Sequence, residues 1–350
     1  MIEKKEGGIK YSVLKYSIIL VCIAILILTI FSVAKNTNPK EEKILRCNDG
    51  TFYDTCSLNK PYYCDDGMLV EKSSVCGCPK AWTIKDEKCD YNGLQKTPKV
   101  VSLEYVINGE KDSIKFTTYE GADNYFGNFS KPYRFFTDEK ATRRDYKLVQ
   151  INEPIQRELL LPLVVEIQNR AESKEDQMRI AVSLVQNIPY ASSNETYKFL
   201  GQEINYSRYP YETLYDGYGI CEEKSALLIF LLREIGYGTS SFYYQSENHE
   251  AVGIKCPAEK SYADSGYCFV ETTGHSIITN YNGNYAFGKL SYPETLITSN
   301  GLSLGYELPE YADGKKIIHL MDVLDKKGRL NYFQNKTLEK LKKKYNFNGI

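Results

Sequence analysis

Six of the chain's ten cysteines fall between Cys47 and Cys89, a stretch too short to bury a self-sufficient apolar core. They alternate with the turns Asn48-Asp49-Gly50, Asp65-Asp66-Gly67 and Cys76-Gly77-Cys78-Pro79. That spacing predicts a disulfide-stapled module over residues 47–90, each bridge stabilising it by about 2 to 4 kcal/mol through restriction of the unfolded chain. Six cysteines allow about 15 pairings, which spacing leaves open. Zinc is the competing use, but the segment has no His and no C-x-x-C pair.

Disulfides need an oxidising compartment, and the N-terminal segment offers a route to one. Residues 16–34, from Tyr16 to Ala34, carry no charge and are rich in Ile, Leu and Val. As a helix they would span about 28 Å, close to the roughly 30 Å of bilayer hydrocarbon. Lys4, Lys5, Lys10 and Lys15 precede the run, whereas Lys35, Lys40 and Lys43 are offset by Glu41 and Glu42. The positive-inside rule therefore predicts a cytoplasmic N-terminus (1–15), a single-pass signal anchor (16–34), a polar linker (35–46) and an extracytoplasmic bulk in the cell membrane. A cleaved signal peptide is the alternative, because Ser32-Val33-Ala34 resembles a small-residue cleavage site.

The remainder is long enough for one large domain. With 44 basic against 45 acidic residues the net charge is −1, which recruits neither nucleic acid nor an anionic surface as a whole. From Val100 to about Phe136 the pattern is of β type: Val101, Leu103, Tyr105 and Ile107 share a parity before Asn108-Gly109, and Ile114, Phe116 and Thr118 follow, predicting a β-hairpin and an antiparallel entry region. Helical spacing follows over residues 151–169 and 174–188, stopped by Pro189. Residues 301–350 form a basic extension, with ten Lys or Arg between Lys315 and Tyr345. A solvated helix with Leu330, Phe333, Leu338 and Leu341 turned inward accounts for it; contact with an anionic polymer or phospholipid headgroups is the other reading. Asn128, Asn194, Asn205 and Asn335 head N-x-Ser/Thr sequons.

The chemistry concentrates after residue 215. Asp216-Gly217-Tyr218-Gly219-Ile220-Cys221 runs into a helix whose apolar residues over 226–235 cover every face and which ends at Gly236 and Gly238. Cys221 thus opens a core helix, where unsatisfied N–H groups and the positive dipole end favour a thiolate. His249 lies in a β-like stretch, and Tyr267 to Gly274 reads as an apolar strand that carries Glu271, a carboxylate needing a partner if buried. A hairpin would bring Glu271 to one imidazole nitrogen and leave the other for the thiol. Asp264 is a rival acid in a turn, and His275 a rival base. Cys256 and Cys268 sit on the two strands and are expected to pair, leaving Cys221 as the odd exported cysteine.

These residues resemble the transglutaminase-like superfamily, in particular its exported prokaryotic and archaeal members. The match is carried by Tyr209-Pro210-x-Glu212-Thr213-Leu214, then Gly217-x-Gly219-x-Cys221-Glu222-x-Lys224-Ser225-x-Leu227-Leu228, then His249-x-Ala251-Val252-Gly253, and then Val270-Glu271-Thr272-Thr273-Gly274. It departs in having Ile220 where Asp often precedes the nucleophile, and Glu271 where Asp is commoner. The resemblance implies an α+β domain over residues 98–300, with a papain-like core of a buried helix on an antiparallel sheet. It implies a catalytic Cys221, His249 and Glu271, acyl transfer on a peptide or protein at the cell surface, and no metal or cofactor. Hydrolysis is the expected outcome; amine crosslinking and a non-catalytic binding or assembly module are the alternatives. For the oxyanion, the Cys221 N–H is one expected donor and Tyr211, Tyr218 or Gln186 the second.

Overall fold

The computed structural model describes residues 45–91, 93–128, 142–192, 196–199, 202–205, 207–279 and 290–347, together with Val21, Ile23, Ile25 and Leu26. Arg46–Ile350 makes one compact unit and Met1–Leu45 another. The expected anchor lies outside the described residues except for those four positions, which are helical and exposed. Among the described residues no helix is long and apolar enough to cross a membrane. The sequons at Asn128, Asn194 and Asn205 likewise reach outside the described residues.

The cysteine-rich segment is built from two small antiparallel pairs, β1 (Tyr62–Asp65) with β2 (Met68–Glu71) and β3 (Thr83–Lys85) with β4 (Lys88–Asp90), around the short helix α1 (Ser73–Cys76). Cys47–Cys64, Cys56–Cys76 and Cys78–Cys89 are bonded, so the thiols are consumed as bridges rather than offered to a metal. Its few buried residues, including Cys47, Tyr62, Cys64 and Leu69, join the main core. Polar bonds fasten it as well: Asn48 Nδ2 donates to the Gln168 carbonyl at 2.9 Å, and the Asn169 side chain closes a two-way pair with the Leu69 backbone at 2.9 and 3.0 Å.

The long hairpin β5 (Pro98–Ile107) and β6 (Glu110–Tyr119) turns at Asn108 and Gly109, both with positive φ, as a two-residue turn matched to strand twist requires. Then come α2 (Glu120–Gly127), α3 (Arg143–Asn152), α4 (Pro154–Arg170) and α5 (Lys174–Asn187), the last ending where Pro189 was expected to stop it. A small hairpin, β7 (Thr196–Phe199) and β8 (Gln202–Asn205), precedes α6 (Pro210–Asp216) and α7 (Cys221–Ile235). Every residue from Glu223 to Leu232 is buried, so α7 is the central helix that its all-round apolarity foretold.

A four-stranded antiparallel sheet packs on α7 in the order β11 (Tyr267–Val270), β10 (His249–Lys255), β9 (Thr239–Tyr244), β12 (Glu294–Ser299). Val252, Ile254, Cys268 and Val270 share the α7 core. Phe242, Tyr244, Ala251, Tyr267 and Phe269 form a separate aromatic cluster. Cys256 and Cys268 are bonded across the sheet edge, as their positions suggested. Three of the sequence readings change. The β-type stretch expected to run to about Phe136 gives way at Glu120 to the helix α2. The expected strand 267–274 ends at Val270, because Glu271 turns its carboxylate onto its own following backbone. The C-terminal hairpin of α8 (Pro309–Lys327) and α9 (Tyr332–Tyr345) buries Leu338 and Leu341 but leaves Leu330 half-buried and Phe333 76% exposed. Phe333 is five residues ahead of Leu338, about 140° round the helix, so the two cannot share an inward stripe.

Candidate active site

Three local devices present Cys221. Gly217 closes α6 with φ +79°, a conformation that glycine adopts without strain. A Cβ on Gly219 would meet Thr213 Cγ2 at 3.0 Å and Glu223 Oε2 at 3.2 Å, so the loop can lie flat against the helix start only with glycine there. Glu223, 1% exposed, then accepts from Ile220 N at 2.9 Å and Arg208 N at 2.8 Å, pinning the residue before the cysteine. Cys221 follows at the first position of α7, partly accessible and the one free cysteine among the described residues. Its N–H has no partner within the helix and points along the positive dipole end.

The two expected partners are bonded to each other. His249 Nε2 lies 2.8 Å from Glu271 Oε2, with both side chains buried. Cys221 acts on the same imidazole through a side-chain hydrogen bond and through its charge. Burial works against a charge on the ring, but the bonds to Cys221 and Glu271 and the negative charge of both outweigh it and push the His249 pKa to about 10. The imidazole also stacks on Tyr244, its cross-strand partner, at 6.1 Å and 26°. Glu271 is fully occupied: its Oε1 accepts from Thr272 N and Thr273 N at 2.9 Å and from Thr273 Oγ1 at 2.8 Å. Four bonds resolve the cost of burying this carboxylate, where sequence reasoning foresees one partner.

The rival residues stand elsewhere. Asp264 is exposed in a turn. His275 Nε2 lies 2.9 Å from Asn187 Oδ1 and 3.1 Å from Asn346 Nδ2, and burial, with Lys224 and Lys111 nearby, lowers its pKa. Of the suggested second oxyanion donors, Gln186 spends its amide N–H groups elsewhere, whereas the two tyrosine hydroxyls accept bonds, which does not use their own O–H. The Tyr211 hydroxyl receives Tyr119 N at 2.7 Å, and the Tyr218 hydroxyl receives Arg208 Nη2 at 2.6 Å. Gln186 Nε2 donates to the Glu271 carbonyl at 2.9 Å, which makes it a support for the acid rather than a donor to substrate.

Supporting residues invisible to sequence reasoning surround the three. Lys147 of α3 is 2% exposed, and its Nζ reaches Glu250 Oε1 at 2.8 Å and the Glu222 carbonyl at 3.1 Å. It thus ties the residue after His249 to the residue after Cys221. Arg143 adds a second ion pair to Glu250 while lying over the Tyr243 ring. Lys224, fully buried one turn after Cys221, donates to the Ile188 carbonyl at 2.5 Å, and burial lowers its pKa to about 8 against the opposing charge of Glu271. Tyr190, 58% exposed, forms an isolated bridge with Gly219, and burial, followed by the charge of Cys221, raises the pKa of its phenol. Lys147 has no sequence signal, since a lysine in a polar helix normally faces water, whereas Lys224 belongs to the motif quoted above but carries no local sign of the carbonyl it would bond.

No protein-family model matches the chain, and no curated protein is significantly similar to it. Among solved structures it is similar to Legionella pneumophila LapG. The calcium-bound form is 16% identical, covering 47% of this chain and 90% of that one with a TM-score of 0.28. The EGTA-treated form is 14% identical, covering 49% and 95%, again with a TM-score of 0.28. The functional reading therefore rests on the geometry of the site itself.

Proposed function

We propose that this chain is an exported thiol acyl-transfer enzyme of the transglutaminase-like class, tethered to the membrane by residues 16–34 and hydrolysing peptide or carboxamide bonds through Cys221, His249 and Glu271. The observation that carries the reading is the buried His249–Glu271 pair acting on Cys221, the partly accessible and one free thiol among the described residues.

In the mechanism, Glu271 holds the imidazole by Nε2 and stabilises its positive charge, so the Cys221 proton resides on Nδ1. The thiolate attacks the carbonyl carbon, and the tetrahedral oxyanion develops beside the Cys221 N–H. His249 returns the proton to the leaving nitrogen, ammonia or an amine departs, and a thioester remains. Water, deprotonated by His249, attacks the thioester; the acid leaves and Cys221 recovers its thiolate. An amine in place of water would give crosslinking by the same steps.

The test uses residues 46–350, which contain all the described disulfides and apolar clusters. Iodoacetamide should label Cys221 selectively, and Cys221→Ala should abolish cleavage of a peptide library while leaving the thermal unfolding midpoint near that of the parent. Equal turnover by the two proteins would end the proposal. Monodansylcadaverine incorporation without cleavage would convert it to crosslinking. Absence of both, with a slow and unselective thiol, would leave a binding module.

A further inference from the structure

We propose that the tip of the α8–α9 hairpin is a docking surface for an anionic lipid bilayer, an inference independent of the catalytic reading. Residues 326–336 contain Lys326, Lys327, Arg329 and Lys336 and no carboxylate. All four are exposed. Between them stand Tyr332 and Phe333, 72% and 76% exposed, with ring centroids 5.5 Å apart in an edge-on pair. One exposed aromatic is ordinary on a protein surface; two adjacent ones that contribute nothing to a nearby core need another use.

The geometry of α9 separates the two roles. Leu338 and Leu341 face inward and join Ile317 and Leu320 of α8. Tyr332, Lys336 and Lys340, spaced by four, form an exposed stripe on the other side. Nearby acids do little to neutralise this patch: Asp322 is spent on Lys326 at 2.7 Å and Glu339 on Lys342 at 3.4 Å, which leaves exposed Asp325. Lys327, Arg329, Lys336 and Lys340 thus supply charge complementary to phosphate headgroups, and the ring pair supplies the amphipathic bulk that settles at the headgroup level. A soluble polyanion would use the cations but give the rings nothing to enter, which is why a bilayer is the occupant favoured here.

The test takes residues 46–350, so that the apolar run 16–34 contributes no binding. The protein should co-sediment with phosphatidylcholine vesicles containing phosphatidylglycerol, less so at high salt, and not with phosphatidylcholine alone. Two variants, Tyr332→Ser with Phe333→Ser and Lys327→Gln with Arg329→Gln and Lys336→Gln, should each weaken binding about tenfold or more. Their side chains are exposed, so the folded state should persist, checked by thermal unfolding. Phe333→Trp should show a blue-shifted emission, above the Trp82 background, that brominated lipid quenches. No phosphatidylglycerol-dependent binding, binding that neither variant weakens, or binding that leaves the emission of the introduced indole unmoved would each overturn the proposal.

Discussion

The segment from Cys47 to Cys89 and the α7–sheet core solve the same stability problem by opposite means. The first has only a handful of buried apolar residues and holds itself with three disulfides. The second buries ten consecutive residues of one helix, from Glu223 to Leu232, against strands and helices on several sides. Where covalent bonds carry the fold, cysteine is spent on structure. Where apolar burial carries it, a cysteine can stay reduced, and polar groups such as Glu223, Lys224, Glu250 and Glu271 can be buried because each finds partners. A thiol that stays unpaired in a chain with several disulfides therefore belongs in the well-packed region.

The comparison breaks most visibly at Glu271. Glu271→Ala removes the charge and bond that hold His249 up at about pH 10, so the imidazole pKa falls and the alkaline limb of activity moves to lower pH. The turnover rate should drop about a thousandfold, within the usual range for acid–base groups. The stability sign follows from the same shift. His249 has a folded pKa above its usual 6.5, so its stabilisation is fully present below about pH 6.5 and is lost as pH rises through about 10. Urea unfolding of wild type across that window should show the loss, and Glu271→Ala should flatten it. An unchanged pH profile would separate Glu271 from the imidazole.

Next comes Lys147→Met, which strips one cation from buried Glu250 while Arg143 still reaches it. Breaking a buried pair typically costs about 3 to 5 kcal/mol; with Arg143 remaining, about 3 kcal/mol is expected in urea unfolding. The iodoacetamide rate at Cys221 should fall with it, since Lys147 links the elements that carry the thiol and the imidazole. A stability loss with an unchanged alkylation rate would make the lysine merely structural. Smaller still is Cys78→Ser with Cys89→Ser, which opens a loop of sequence separation 11 and should cost about 2 kcal/mol. Its effect should be local: faster proteolysis within residues 78–90, with Cys221 alkylation unchanged. Loss of thiol reactivity there would show that the two regions do not stabilise themselves separately. The smallest effect belongs to Tyr190→Ala, which removes an exposed ring beside the thiol and should leave unfolding within about 0.5 kcal/mol of the parent while raising KM.

Much of this architecture is legible in one dimension wherever a local rule decides it. The Asn108-Gly109 hairpin, the buried α7 and the cross-strand bridge of Cys256 to Cys268 each follow from turn chemistry, apolar coverage or position on neighbouring strands. The failures share a cause. Sequence reasoning turns Phe333 inward because an aromatic residue in a helix usually is, and nothing local reports which face of α9 meets α8. It places Glu271 on a strand because Tyr267 to Val270 is apolar, whereas two following threonine amides and a hydroxyl capture the carboxylate and end the ladder. Among the upstream candidates for the second oxyanion donor, Gln186 donates instead to the Glu271 carbonyl, a contact between residues 85 apart that no local rule reports.

By itself, the sequence determined that the first six-cysteine segment is too short to hold itself without bridges, that one further cysteine heads a core helix, and that a histidine and a glutamate follow it in strand-like contexts. Period, composition and order are local quantities, and a linear chain records them. Only the tertiary structure decided that His249 offers Nε2 to Glu271, that Lys147 joins the neighbours of Cys221 and His249 across a gap of about 75 residues or more in sequence, and that two aromatic rings at the C-terminal tip face solvent. Those outcomes depend on which surfaces meet, and burial of a charge becomes tolerable only once the distant partner that neutralises it has been brought into contact.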